Sequence, residues 1–389
     1  MRLSTKWNQF ETSIFSIMTQ KAIAAGAVNL AQGFPDFDGP DVIKKAAIDA
    51  IMGPMNQYAP APGLLMLRQK IAKFQQETKG LSYNPDTEVT VFTGATEAIF
   101  CTMQALLDQG DEIIAFEPFY DSYPASAHAA GAKLIGVPLS APNWTFNPAE
   151  LAGKITAKTR AIIVNTPHNP TGKVFTEGEL KCIADLAIKH DLLVFTDEVY
   201  EQLVYGEAKH LSMAAIPGLT ERTVTMSSTS KTFSMTGWKV GYAFASPEIT
   251  KLLRSVHQFT VFCTATPLQA GMIKAFELDK SYYQELRRDY LGKRDLLVKI
   301  LHKNGFKCNA PDGSYFIVAD YSAISNKNDL EFANWLTETI KVATIPTSVF
   351  YTKPAEVREK QRYVRFAFCK GESTLLEAAK KLEVLGRSP

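Results

Sequence analysis

The sequence has no apolar run near the roughly 18 residues that a membrane-spanning helix requires. Residues 1–10 are polar and hold no apolar signal core, so export is not expected and a cytoplasmic location is. The five cysteines (Cys101, Cys182, Cys263, Cys308, Cys369) form no Cys-x-x-Cys pair. An odd, scattered set fits reduced thiols rather than a disulfide framework. The six histidines are scattered too, none paired at i, i+4 with another ligand, so no metal site is expected. Charge of one sign is also missing. Lys+Arg number 42 against 40 Asp+Glu, a net +2 that argues against a broad basic face for nucleic acid or anionic membrane. No internal repeat, low-complexity tract or disordered linker stands out.

What is present is a globular composition, 46% hydrophobic and 21% charged, in a chain of 389 residues. That length exceeds one ordinary core and predicts two domains. Short β-branched runs at 88–93, 111–116, 133–139, 160–165, 192–197, 223–227 and 240–245 read as strands. Several are apolar throughout, as strands buried on both faces are. Between two of them Thr176 and Glu179 form a capping-box pattern, and Leu180, Ile183, Ala184 and Ala187 follow at helical spacing. Strand, capped helix, strand is a βαβ unit. The fold expected is α/β, a mostly parallel sheet flanked by helices, with ligands at the carboxyl ends of its strands. After Leu268 a long charged helical stretch (269–304) is expected, then short strands at 315–319 and 363–368 and a helix at 373–386. The division expected is residues 46–280 as a large domain, 281–389 as a smaller α+β domain, and 1–45 as a segment joining the small one.

The strand ends carry the chemistry. Residues 93–97, Thr-Gly-Ala-Thr-Glu, open a helix with small residues, which suits either plain capping or backbone N–H groups approaching a phosphate. Residues 165–172, Asn-Thr-Pro-His-Asn-Pro-Thr-Gly, form a rigid turn able to hold Asn169 in one rotamer as a donor to a phenolate. Asp197, in Asp197-Glu198-Val199-Tyr200, either caps the next segment or meets a cation such as a protonated pyridine nitrogen, with Tyr200 in reach of the same ring's oxygen. Lys231, in Ser228-Thr229-Ser230-Lys231, and Lys239, beside Gly237 and Gly241, are either solvated loop lysines or the amine and phosphate cation of a Schiff-base enzyme.

Together, and in this chain order, these motifs resemble the fold-type-I pyridoxal-phosphate aminotransferases over essentially the whole chain. Residues 29–37, Asn-Leu-Ala-Gln-Gly-Phe-Pro-Asp-Phe, are similar to the methionine and kynurenine–glutamine subgroup. The resemblance implies pyridoxal 5′-phosphate as cofactor and Lys231 as its covalent anchor. It also implies Asp197 at the ring nitrogen, Asn169 and Tyr200 at the ring oxygen, and Tyr120 stacked on the ring. Ala95, Thr96, Ser228 and Lys239 would hold the phosphate. Tyr58 would reach the phosphate of a neighbouring subunit, which requires a homodimer with shared active sites. Arg365 would clamp the substrate α-carboxylate, with Gly33 as a backbone partner across the substrate; a guanidinium suits a carboxylate because it offers two parallel donors.

The chain departs from the family pattern twice, once at the phosphate and once near the substrate, an amino acid exchanging with a 2-oxo acid. Lys239 stands where many relatives have arginine, which keeps the cation and loses the fork. Phe262-Cys263 stands where kynurenine-active relatives often have Phe-His, and Phe15 where they often have Trp. With Phe15, Tyr58, Tyr120 and Phe262 lining the side-chain pocket, Phe34 nearby and no second arginine evident, the donor expected is neutral: methionine, phenylalanine, tyrosine or similar, by ping-pong transamination. Kynurenine transamination or cysteine-conjugate β-lyase activity at the same site is the alternative. A cofactor sensor fused to a DNA-binding module is disfavoured, because only about 28 residues precede Asn29.

Overall fold

A computed structural model describes residue 1 and residues 3–387. The chain forms two compact units: residues 34–291 with 311–314, and residues 1–33, 292–310 and 315–389.

The first unit is built on a seven-stranded sheet. Its spatial order is Val89–Phe92, Gly241–Phe244, Thr223–Ser228, Leu193–Asp197, Thr159–Asn165, Glu112–Glu117 and Lys133–Pro138. Five of these strands pair in parallel, and Gly241–Phe244 runs antiparallel to both its neighbours. Each of the seven lies within about one residue of its sequence-predicted limits. Neighbouring side chains in the central strands go to opposite faces. Ile113, Ile163 and Phe195 pack in one buried cluster, while Ile114, Ile162, Val164 and Val194 pack in another with Leu180 and Ile183 of the helix Glu177–Lys189. Apolar cover on both faces is what made these runs continuous rather than alternating.

The capping box forms as its spacing predicts. The Thr176 hydroxyl accepts the Glu179 N–H at 3.2 Å and the Glu179 carboxylate accepts the Thr176 N–H at 2.9 Å. The stretch 269–304, expected to be one helical run, is two helices, Thr266–Ala275 and Lys280–Lys303. Asp279 is the physical reason: its carboxylate accepts the Ser281 N–H at 2.8 Å and its carbonyl the Tyr282 N–H, so it starts a new helix.

In the second unit a three-stranded antiparallel sheet runs Ile345–Pro346, Tyr363–Ala367, Phe316–Asp320. A short parallel pair joins Val28–Asn29 to Val342–Ala343. Helices Ile14–Ala25, Asp329–Trp335 and Glu372–Leu382 belong to the same unit.

Thr176→Ala removes one hydrogen bond of the capping box and costs about 1 kcal/mol locally. Hydrogen exchange at the Glu179 and Leu180 amides should accelerate about fivefold relative to strand amides such as Val194; unchanged exchange would mean the cap contributes nothing.

Candidate active site

Because the parallel strands share one direction, their carboxyl ends lie along one edge of the sheet. Strand register sets Asn165 opposite Asp197, and Ser228 and Phe92 each opposite Gly241.

Asp197 closes its strand and is buried. The Tyr123 hydroxyl donates to one carboxylate oxygen at 2.7 Å, and the Val199 N–H reaches the other at 3.3 Å. Burial pushes its pKa up from 3.8 to about 6, against the pull of Tyr123 and of nearby Lys231. Asn165 donates its side-chain amide to the Asp197 carbonyl at 2.8 Å and accepts the Asn169 N–H at 2.7 Å. The turn carrying Asn169 is thereby fastened to the strand end carrying Asp197. Tyr200 and Asn169 are both buried, and Lys231 Nζ stands 5.9 Å from the centre of the Tyr200 ring. Tyr120 meets Tyr123 edge to face at 5.7 Å.

The cradle is the start of the helix Gly94–Leu106. Gly94 has φ +80°, and a Cβ there would lie 2.9 Å from the Lys239 side chain. At Gly241 a Cβ would lie 2.5 Å from the Gly94 carbonyl carbon and 2.6 Å from the Ala95 nitrogen. Only glycine permits such close approach. Lys239, in a left-handed turn, reaches Thr96 Oγ1 at 3.5 Å, and partial burial lowers its pKa. The Ser228 hydroxyl accepts the Ser230 N–H and donates to the Val240 carbonyl. Backbone N–H groups at a helix start, a hydroxyl and a cation packed this closely fit a phosphate. A buried carboxylate with raised pKa fits a protonated ring nitrogen, which would favour its ionised form.

Tyr58 is 83% exposed and lies edge-on to Phe262, ring centres 5.2 Å apart. Phe34 is also exposed.

In the second unit Arg365 sits on the central strand, not an edge, and is 1% exposed. Its guanidinium lies 4.0 Å from the Phe316 ring centre, 4.9 Å from Phe15 and 5.4 Å from Phe350, and it donates to the Ala31 carbonyl at 2.8 Å. The Gly33 carbonyl accepts the Tyr315 hydroxyl, and a Cβ on Gly33 would collide with the Phe316 ring at 2.5 Å. Sequence reasoning named Arg365, Phe15 and Gly33 but missed Phe316 and Phe350, which complete the aromatic cage. It also missed Tyr123, 74 positions from its partner Asp197, and the tie from Asn165 to Asp197, 32 positions on.

The aminotransferase class I and II family model matches residues 25–382. The chain belongs to that family. It is an enzyme of the aspartate-aminotransferase-like fold, and the family's cofactor is pyridoxal 5′-phosphate. Three relatives show the range of the similarity. The structure of N-succinyldiaminopimelate aminotransferase from Mycobacterium tuberculosis is 40% identical with a TM-score of 0.95, covering 99% of this chain and 100% of that one. An Escherichia coli structure with methionine aminotransferase function is 38% identical, TM-score 0.94, at 99% and 100% coverage. Human kynurenine–oxoglutarate transaminase 3 is 39% identical over 96% of this chain and 87% of its own length. Among the described residues of this aminotransferase no helix is long and apolar enough to cross a membrane. Nor do three His, Cys, Asp or Glu side chains gather as a metal site.

The Asp197 pKa, raised in the folded protein to about 6, means folding takes up a proton there. The stability this group contributes is fully present below about pH 4 and lost as pH rises through about 6. Without cofactor, the wild-type melting temperature should therefore fall relative to that of Asp197→Asn between pH 4 and pH 6. Parallel profiles for the two proteins would overturn the assignment.

Proposed function

We propose that this aminotransferase transfers the amino group of a neutral sulfur-containing or aromatic L-amino acid to a 2-oxo acid by a ping-pong sequence. What carries the reading is the gathering of Lys231, Asp197, Asn169, Tyr200 and the glycine-lined cradle along one sheet edge. When bound, pyridoxal phosphate supplies an aldehyde that accepts amines and a ring that draws electrons from the substrate Cα.

Each residue then has a task. Ala95, Thr96, Ser228 and Lys239 would hold the phosphate, and Tyr120 would stack on the ring. Asp197 would hold a proton at the ring nitrogen, while Asn169 and Tyr200 would hydrogen-bond the ring oxygen. The Lys231 Nζ would take the substrate's Cα proton and return it to the carbon that the cofactor's aldehyde contributes; a positioned amine contributes about 10²–10⁴-fold. Arg365 binds the α-carboxylate, with Gly33 as a backbone partner, and so fixes the orientation of the Cα–H bond. Phe15, Tyr58 and Phe262 favour an uncharged side chain.

Tyr58 serves the phosphate of a second copy. Support comes from the large apolar side chains left exposed on this unit, among them Met52, Tyr58, Phe259 and Phe262, which favour burial in a homodimer. A cytoplasmic location goes with this reading.

Single-turnover assays of the cofactor-loaded protein, with no acceptor present, should release one 2-oxo acid per site from methionine or phenylalanine faster than from aspartate or kynurenine. Lys231→Ala should release none. Aspartate in first place would overturn the neutral pocket, and N-succinyldiaminopimelate in first place would move the reading to the Mycobacterium relative's named substrate. Pyruvate and ammonia from a cysteine conjugate without any acceptor would show β-lyase activity.

A further inference from the structure

His257 lies on the helix Pro247–Thr260, fully buried, and has no role among those assigned above. Its two ring nitrogens each face an acceptor. Nε2 is 3.0 Å from the Ala61 carbonyl, and Nδ1 is 2.7 Å from the Glu97 carboxylate. A carbonyl oxygen only accepts, so Nε2 carries a hydrogen. At 2.7 Å a second hydrogen must lie between Nδ1 and Glu97, on the imidazole or on the carboxyl. The ring therefore bonds in both directions at once.

What it bonds is informative. The other oxygen of Glu97 accepts the N–H of Thr93, the residue that leads into the cradle at Gly94. Thr93 is also fixed through its hydroxyl, 3.2 Å from that of Thr264. Ala61 closes the segment 58–61 that carries Tyr58. The backbone carbonyl of His257 accepts the N–H groups of Val261 and Phe262, and Phe262 is the ring that meets Tyr58. One buried side chain thus joins the start of the cradle helix to the corner bearing Tyr58.

We propose that His257 is a positioning residue: through Glu97 it sets the cradle for the cofactor phosphate, and through Ala61 it sets the Tyr58 corner. The inference rests on the reading that the cradle binds phosphate. Two amide substitutions separate the two bonds. His257→Gln can place a donor where Nε2 stands and keeps the Ala61 bond while losing Glu97. His257→Asn can place one where Nδ1 stands and keeps Glu97.

The experiment titrates cofactor-free wild type and both variants with pyridoxal phosphate and with pyridoxal, which lacks the phosphate, following cofactor absorbance. Wild type should prefer pyridoxal phosphate strongly. His257→Gln should weaken pyridoxal phosphate about tenfold while leaving pyridoxal little changed, the effect of one lost buried hydrogen bond at the cradle. His257→Asn should restore most of the wild-type ratio. If wild type shows no preference, the phosphate cradle itself is wrong. If wild type discriminates but His257→Gln discriminates equally, or if both variants weaken both ligands alike, the positioning role is overturned. Should His257→Gln not fold, Glu97→Gln weakens the same bond from the other side and is judged by the same ratio.

Discussion

A buried cation between two buried carboxylates fixes the sheet edge that carries Asp197 and Tyr200. Lys79, last residue of the helix Leu65–Lys79, reaches Glu198 at 2.6 Å and also Glu201, all three shielded from water. Burial opposes the lysine's charge, yet the two carboxylates outweigh it and its pKa stands above the ordinary value. Glu198 also accepts the Ser212 hydroxyl at 2.7 Å and the Thr196 hydroxyl at 3.1 Å; Glu201 accepts Ser227 at 2.7 Å and Tyr242 at 3.1 Å. These bonds join one helix and three neighbouring strands at the turn Asp197–Glu201. Removing one partner of such a group leaves an unpaired buried charge, at a cost of about 3–5 kcal/mol. Asp197 and Tyr200 alternate with the two anchored glutamates, so their positions follow from the clamp.

The clamp matters because the proposed chemistry needs a carboxylate that is dry without being mobile. Tyr123 and the Val199 N–H orient Asp197, and burial raises its pKa, so it sits poised between charged and neutral. A cationic ring nitrogen beside it would decide in favour of charge. Tyr123 tightens the arrangement further, since burial and the neighbouring Asp197 hold its own pKa well above the ordinary value and keep it a donor.

How much of this was legible depended on the range of each interaction. Continuous apolar runs revealed several of the strands, because cover on both faces selects apolar residues along the run. The Thr176 and Glu179 cap is confined to one turn, and its spacing alone revealed it. The motif residues Asn169, Asp197 and Lys231 stood out because turn chemistry surrounds them locally. The partners were not legible. Glu97 meets His257 across 160 positions and Tyr123 meets Asp197 across 74, and no local pattern marks either pair. The break at Asp279 was missed for another reason: helical composition continues on both sides, and one capping aspartate outweighs it.

Arg365 shows why residue type and surroundings must be read together. A lysine could supply its charge, but an ammonium is strongly hydrated and would resist enclosure by Phe15, Phe316 and Phe350. A guanidinium is weakly hydrated and its flat faces pack on rings, so the cage costs it little. The cage and the Ala31 bond hold the group in one orientation before any ligand arrives. A carboxylate approaching a cation that is already dry and aligned loses little further freedom, and its affinity gains accordingly. On the role proposed for Arg365, replacing a ring would therefore weaken carboxylate recognition without touching the charge, because the rings preserve the direction in which that charge is presented.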